Sequence, residues 1–196
     1  MPEMHPTAIM LAGPNGAGKT TNSRAILADT LKTMIFVNAD VIAQGLAAFN
    51  PEAAALEAGR VMLKWIKELT ASRTSFAFET TLAARSYARQ IKEWQASGYT
   101  FQLYYFWLSN EDLAVSRVAF RVERGGHNIP EATIRQRYQR SLNNLFQLYL
   151  PLADVWQVYN NSLQGKAQLV AEKTAGNEAQ VVDAPIWKLM QERVQP

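Results

Sequence analysis

Short apolar runs alternate along the chain with longer segments of helical composition. Five of these runs are rich in strand-forming residues: 7–12, 34–37, 75–79, 99–108 and 154–159. Strands that alternate with helices predict a mainly parallel sheet that is covered on both faces. We therefore expect a three-layer α/β/α fold around a five-stranded sheet.

The segment that follows Asn50-Pro51 shows the clearest helical pattern. Asparagine can cap the free N–H groups of a helix, and proline at the first helical position loses no hydrogen bond. From there to about Ser72, apolar residues recur every three or four positions and predict one buried stripe: Ala58, Met62, Trp65, Ile66 and Leu69. Further helices are expected at 19–32 and 85–97, after Asn110, and from Pro130 to about Tyr149.

The region after Ser162 has a weaker pattern than the rest of the chain. Segments 168–171 and 180–182 are predicted to pair as a peripheral hairpin, and 187–194 to form a last helix. We assign residues 1–162 to one domain and 163–196 to a C-terminal extension that packs on it.

Composition places the chain among globular proteins of the cytoplasm. It has 196 residues, of which 48% are hydrophobic and 19% charged, and it contains no cysteine. These values exclude a disulfide framework and a largely disordered chain. Because no apolar stretch approaches the roughly 20 residues that cross a bilayer, we expect neither a membrane span nor a membrane partner.

The positive charge is concentrated in one segment. The net charge is +3, yet residues 117–140 alone carry +4, because this segment contains six arginines and only two acidic residues, Glu123 and Glu131. The remainder is close to neutral. We expect this segment to face an anionic ligand.

The loop after the first strand carries a phosphate-binding motif. Gly13 to Thr20 matches G-x-x-x-x-G-K-[ST], the P-loop or Walker A pattern, between a predicted strand and a predicted helix. Its glycines let backbone N–H groups converge on phosphate oxygens, its lysine bridges the β and γ phosphates, and its threonine hydroxyl binds Mg²⁺. The spacing excludes the dinucleotide fingerprint. The residues expected to bind ATP are Gly13, Pro14, Asn15, Gly16, Ala17, Gly18, Lys19, Thr20 and Thr21.

A small kinase is the class of P-loop protein that remains. Neither N-K-x-D nor D-x-x-G is present, which argues against a GTPase, and the chain is too short for a ring motor or helicase. A kinase needs a carboxylate to orient the acceptor hydroxyl, an acidic group near the metal, and cations over the transferred phosphoryl group.

Two carboxylates follow predicted strands and should lie at the edge of the sheet where ligands bind. Asp40 is a candidate base for the substrate hydroxyl, although it could instead cap a short helix at 41–44. Glu79 is a candidate metal-linked carboxylate. Thr80 and Thr81 follow it and could bind substrate oxygens or simply cap the end of the strand.

The arginine-rich segment 117–140 is interpreted as a helical lid. Arg117, Arg121 and Arg124 share one helical face, and Gly125-Gly126-His127 forms a turn before the second basic helix. Arginine suits a transferring phosphoryl group because its planar fork donates two hydrogen bonds and stays charged. Arg135 and Arg140 fit a solvated face equally well, and His127 is interpreted as structural.

Taken together, these segments resemble the zeta toxin-like P-loop kinases. The resemblance covers Thr7 to Ser162 and is carried by GPNGAGKTT, by NAD at 38–40, by FETT at 78–81 and by RVERGGHNIP at 121–130. It implies ATP-dependent phosphorylation of an amino-sugar hydroxyl of UDP-N-acetylglucosamine, with Asp40 as base. It also implies that Lys19 and Thr20 hold ATP·Mg, and that Glu79 with Thr80 or Thr81 contacts the substrate. An antitoxin is an implied partner, although the sequence identifies none.

The lid differs from the family pattern at one position. Family toxins carry an arginine directly after the proline of the turn, whereas Glu131 follows Pro130 here. We choose Arg121, Arg124 and Arg137 as the catalytic lid arginines.

Two alternatives to a nucleotide-sugar kinase stay open. One is a kinase for another small metabolite or for a nucleic-acid end, since R-x-x-R-x-G-H is similar to kinases of the gluconate type. The other is a non-catalytic ATP-binding regulator. A nucleic-acid substrate is less expected than a small molecule, because the chain outside residues 117–140 is nearly neutral and provides no extended basic surface.

Overall fold

Seven strands form one sheet in the computed structural model, which describes residues 5–26, 30, 34–126, 128–163 and 165–195. The spatial order is β2-β3-β1-β4-β5-β6-β7. The strands are β1 (Thr7–Ala12), β2 (Ile35–Val37), β3 (Phe76–Thr80), β4 (Thr100–Trp107), β5 (Val155–Asn160), β6 (Gln168–Lys173) and β7 (Gln180–Val181). The first five are parallel, and β6 and β7 are antiparallel to their neighbours.

The expectation of a five-stranded sheet is therefore wrong in strand number. All five predicted strands are present, but the predicted hairpin does not stand apart from them. Its first strand, β6, pairs with the edge of β5 and so extends the sheet to seven strands. An unpaired edge offers a row of free N–H and C=O groups, and β6 satisfies them on this side.

Helices cover both faces of the sheet. They are α1 (Lys19–Ile26), α2 (Ala39–Leu46), α3 (Ala55–Ala71), α4 (Tyr87–Ala96), α5 (Glu111–Glu123), α6 (Glu131–Asn144), α7 (Leu150–Leu152) and α8 (Ala184–Glu192). A 3₁₀ turn (Pro51–Ala54) precedes α3, and a π turn (Leu145–Tyr149) follows α6. No helix among these residues is both long and apolar enough to cross a bilayer.

Several predicted helix boundaries change. Asn50 does cap the chain, accepting a hydrogen bond from Ala53 N at 3.3 Å, but it opens the 3₁₀ turn rather than the α-helix. The helix expected at 19–32 is described as far as Ile26, and much of the remainder lies outside the described residues. In α3 the predicted stripe is buried except at Trp65, which is 39% exposed because it lies at the margin of the stripe.

The two core layers follow from the alternation of side chains in β1. Met10 points to one face, where it packs with residues of α3 and α4 such as Ile66 and Trp94. Leu11 points to the other face, which α5 and α6 cover with residues that include Val118. Burial on both sides explains why the central strands are nearly continuous apolar runs.

The parallel order determines which residues meet at the carboxyl edge. Strand β1 lies between β3 and β4, and its register pairs Leu11 with Glu79 and Ala12 with Thr80. Strand β2 lies on the far side of β3, with Val37 opposite Phe78. The loop that leaves β1 and the residues that follow β2 are therefore neighbours of Glu79.

Candidate active site

The loop between β1 and α1 requires glycine at its turns. Gly13, Gly16 and Gly18 have φ values of +142°, +77° and +71°, a region that favours glycine. A Cβ atom on Gly13 would lie 2.3 Å from the Phe106 carbonyl oxygen, and one on Gly16 would lie 2.8 Å from the Ala114 carbonyl oxygen. The loop is thus seated against β4 and α5, with no room for a side chain at Gly13 or Gly16.

Lys19 is held inside this loop. Its side chain is almost buried, and Nζ donates hydrogen bonds to the carbonyl oxygens of Gly13 at 2.9 Å and Pro14 at 3.1 Å. The same Nζ lies 3.8 Å from Glu79 Oε1. A bound phosphate would take the place of the two carbonyl oxygens.

Charged groups from several elements converge on Lys19. Burial lowers its pKa, the carboxylates of Glu79 and Asp40 raise it, and the guanidinium groups of Arg121 and Arg137 lower it further. Such electrostatic effects decline with separation, so these four side chains lie near enough to the loop lysine to influence its charge. The structure therefore brings both predicted carboxylates and two of the predicted lid arginines to one place.

Thr20 and Glu79 provide a pair of oxygen ligands. Thr20 Oγ1 donates to Glu79 Oε2 at 2.7 Å, and Asn38 Nδ2 donates to the same oxygen at 3.1 Å. A hydroxyl and a carboxylate are donors that Mg²⁺ accepts. The described residues contain no group of three or more His, Cys, Asp and Glu side chains that could hold a metal. An ion here would need its remaining ligands from phosphate oxygens and water.

Asn38 links this pair to Asp40 and was missed by sequence reasoning. Its Oδ1 accepts hydrogen bonds from Asp40 N at 2.8 Å and Val41 N at 3.4 Å, so Asn38 is the N-cap of α2. The alternative in which Asp40 caps this helix is therefore wrong. Asp40 lies within the first turn of α2 and is exposed. An asparagine between a strand and a helix was the signal that could have identified this cap.

The remaining threonines differ in their surroundings. Thr80 Oγ1 accepts a hydrogen bond from Leu82 N at 3.1 Å. This contact caps the end of β3, which was the alternative to substrate binding for this residue. Thr81 is half-buried directly after β3, and Thr21 is exposed on α1.

The predicted lid arginines separate into two groups. Arg121 and Arg137 are half-buried and act on the Lys19 pKa, whereas Arg124 is exposed at the end of α5, with its Cζ 4.1 Å from the centre of the Phe120 ring. A Cβ on Gly126 would lie 2.5 Å from Arg121 Cγ, so the turn packs closely on Arg121. His127 lies outside the described residues.

Other arginines of the segment have structural contacts. Arg135 forms ion pairs with Glu111, Asp112 and Glu131 at 2.7–3.1 Å, which tie the start of α5 to the start of α6. These carboxylates raise the pKa of Arg135. Arg117 donates from Nη2 to the Ser162 carbonyl oxygen at 3.1 Å. Part of the positive charge that predicted a lid therefore holds the two helices in place.

Comparison with known proteins identifies the family of this chain. A family model described as "Zeta toxin" matches residues 1–174. The chain belongs to the Zeta toxin family. The family predicted from the loop, carboxylate and lid segments is thus confirmed. A Haemophilus influenzae protein described as uncharacterized is 30% identical over 135 residues, which cover 69% of this chain and 94% of that protein.

Solved structures show the same fold. A chain of the AvrRxo1-ORF1:AvrRxo1-ORF2 complex with sulphate ions has a TM-score of 0.80 at 17% identity, covering 99% of this zeta-family chain and 66% of that chain. The same complex has been solved with ATP, with a TM-score of 0.78. A chain of the PezAT toxin–antitoxin system of Streptococcus pneumoniae has a TM-score of 0.67 at 17% identity and is covered to 86%, against 97% of this chain. The predicted P-loop kinase fold is confirmed.

Proposed function

We propose that this zeta-family protein is an ATP-dependent kinase that transfers the γ-phosphoryl group of ATP to a hydroxyl of a small molecule. The observation that carries the proposal is the convergence of Lys19, Glu79, Asp40 and two arginines at the carboxyl edge of the sheet. A P-loop binds phosphates in many kinds of protein. The carboxylates and arginines around it match the parts that phosphoryl transfer requires.

ATP binding uses groups that already face each other. The loop N–H groups receive the phosphates, and Lys19 exchanges its hydrogen bonds to the Gly13 and Pro14 carbonyl oxygens for bonds to phosphate oxygens. Thr20 and Glu79 would hold Mg²⁺ beside them. When bound, Mg²⁺ neutralises charge that develops on the phosphate oxygens.

Asp40 accepts the proton of the acceptor hydroxyl. The hydroxyl oxygen forms a bond to the γ-phosphorus, the bond from that phosphorus to the β–γ bridging oxygen breaks, and ADP leaves with the electron pair. The proton of the hydroxyl moves to the Asp40 carboxylate. Asn38 orients the backbone around Asp40, and Glu79 stays hydrogen-bonded to Thr20 and Asn38.

Arg121 and Arg137 stabilise the transferred group. Their charges reach Lys19, so they also reach the phosphates that Lys19 would bind. Arginine donates two parallel hydrogen bonds to phosphoryl oxygens and cannot lose its proton at physiological pH. Arg124, seated on an aromatic ring, is a weaker candidate than the sequence alone suggested.

A UDP-activated amino sugar is the first acceptor to test. Family membership supports it, since the resemblance noted above implies UDP-N-acetylglucosamine as substrate. A Sinorhizobium meliloti gluconokinase shares the fold at a TM-score of 0.50 and 14% identity. Small polyols should therefore be tested as acceptors as well. The PezAT chain comes from a toxin–antitoxin system, so an antitoxin protein is the partner we propose.

The test is product analysis with Asp40→Asn. Wild-type protein, ATP, Mg²⁺ and a panel of UDP-sugars and polyols are incubated, and phosphorylated products are identified by mass spectrometry. Loss of a general base reduces turnover by about 10²–10⁴-fold, while ATP affinity should stay within about threefold. Glu57→Gln, which neutralises an exposed carboxylate on α3, is the matched control. Turnover by Asp40→Asn within about threefold of wild type would show that Asp40 is not the base.

A further inference from the structure

Asn161 lies directly behind the phosphate loop, 144 positions away in sequence. The residue is 7% exposed, and its Nδ2 donates a buried hydrogen bond to the Ala17 carbonyl oxygen at 2.9 Å. The backbone N of Asn161 donates to the Trp107 carbonyl oxygen at 2.9 Å. The asparagine is therefore fixed at the ends of β4 and β5 and reaches from the sheet to the loop.

This hydrogen bond fixes the orientation of the peptide unit between Ala17 and Gly18. The Ala17 carbonyl and the Gly18 N–H belong to the same trans peptide, so they point in opposite directions. Because Asn161 draws the carbonyl towards the end of β5, the Gly18 N–H points away from β5. Loop N–H groups of this motif are the donors that surround bound phosphate.

The loop is shaped to admit the asparagine. A Cβ atom on Gly18 would lie 2.7 Å from Asn161 Nδ2, so a side chain at that position would require the Asn161 amide to shift. The glycine of the motif and the asparagine that follows β5 are thus in close contact. Gly18 has φ +71°, a conformation that glycine adopts without strain, and the hydrogen bond from Asn161 fixes the orientation of the peptide unit before it.

The next residue extends the same contact to the lid helix. The Ser162 carbonyl oxygen accepts from Arg117 Nη2 at 3.1 Å, and Ser162 Oγ accepts from Ser109 N at 2.8 Å. A Cβ atom on Gly16 would lie 3.2 Å from Arg117 Cβ, so Arg117 also lies beside the loop. The end of β5 therefore supports the loop both directly, through Asn161, and through α5.

We propose that Asn161 is a positioning residue of the nucleotide site, which acts through the Ala17–Gly18 peptide on the bound phosphates. The proposal rests on the nucleotide binding proposed above. Asn161 would not touch ATP; it would hold a loop N–H ready to donate before ATP arrives. Such preorganisation increases affinity because the loop need not be ordered on binding.

The test compares ligands with and without phosphates. Affinities for ADP·Mg²⁺ are measured by calorimetry and for adenosine by ligand-observed NMR, in wild type, Asn161→Leu and Asn161→Asp. Both variants remove the donor, and aspartate also keeps the volume and polarity of the side chain. We expect ADP affinity to fall about tenfold or more and adenosine affinity to change less than about twofold. Gln95→Leu is the control, since it removes a 2.9 Å amide-to-carbonyl bond, to Leu152 O, remote from the loop.

The outcomes separate this inference from the proposed function. If wild type does not bind ADP, the kinase proposal fails first. If wild type binds ADP and both asparagine variants bind it within about twofold, the positioning role of Asn161 is refuted. An equal loss for ADP and adenosine, or failure of both variants to fold by circular dichroism, would also refute it, because Asn161 would then act only on the fold.

Discussion

Replacing Asn38 with alanine should loosen the site and the start of α2 together. The side chain is 8% exposed and makes two kinds of contact: Oδ1 caps α2 by accepting from Asp40 N at 2.8 Å, and Nδ2 donates to Glu79 Oε2 at 3.1 Å. Alanine removes both. The loss of each contact can be estimated separately because one involves backbone and the other a carboxylate.

The two contributions add to a measurable destabilisation. Loss of an asparagine N-cap costs about 1 kcal/mol, and loss of a hydrogen bond to a charged group costs about 1.5–3 kcal/mol. The Glu79 side chain is 13% exposed, so water compensates little for the lost donor. Asn38→Ala should therefore lower the free energy of unfolding by about 2.5–4 kcal/mol, or the melting temperature by roughly 5–15 °C.

The assay is equilibrium urea unfolding of three variants. Asn38→Ser keeps a cap but has no amide to donate to Glu79, so it should lose about 1.5–3 kcal/mol. Asn110→Ala is the control, because Asn110 caps α5 through Leu113 N at 2.8 Å and has no contact with Glu79 among its hydrogen bonds in the described residues.

A double-mutant cycle with Glu79→Gln then isolates the pair and should give a coupling energy above about 0.5 kcal/mol. If Asn38→Ala and Asn110→Ala destabilise equally within about 0.5 kcal/mol, the Asn38–Glu79 bond contributes nothing and the reasoning is wrong.

Three further outcomes are expected. In the kinase assay, Arg121→Ala should reduce kcat/KM by roughly tenfold or more, whereas Arg124→Ala, whose guanidinium rests on an aromatic ring, should stay within about threefold. Lys19→Met should abolish ADP binding yet not lower the melting temperature near pH 7, because burial lowers the Lys19 pKa and so disfavours its charged form. Any excess of the variant's free energy of unfolding over that of the wild type should shrink towards about pH 10. There the unfolded wild type binds more protons than the folded wild type, so the stability of the wild type rises. An excess that grows with pH would contradict a lowered Lys19 pKa. Gly13→Ala should cost about 3 kcal/mol or more in urea unfolding, while Gly59→Ala, with open space around its Cβ position, should not destabilise.

Local sequence patterns predicted the parts of the protein that local chemistry decides. The P-loop is one such part, because a short turn with positive φ values favours glycine and a phosphate ligand requires a cation. The central strands β1, β3 and β4 are another, since burial on both faces demands continuous apolar runs. Asp40 and Glu79 were found because a side chain that follows a parallel strand must lie at the carboxyl edge.

The sheet edge needed the tertiary structure. The pattern at 168–171 and 180–182 showed a hairpin but not its neighbour, since the pairing of an edge strand depends on the partner that is free beside it. Here β6 pairs with β5 and makes a seven-stranded sheet. Trp65 shows the same dependence in a helix, because the width of the buried stripe is set by what packs against it.

The amino-acid sequence by itself determined that the protein has a phosphate-binding loop, two acidic residues that follow strands and a group of arginines. Their order along the chain also indicated the Zeta toxin family. Only the tertiary structure decided which of them meet. Arg121 and Arg137 act on Lys19, while Arg124 and Arg135 have other partners, and Asn38 and Asn161 connect elements far apart in sequence. The physical reason is that a polar side chain can bond to any donor or acceptor within about 3 Å. Which groups come that close is fixed by the packing of the whole sheet and not by neighbours along the chain.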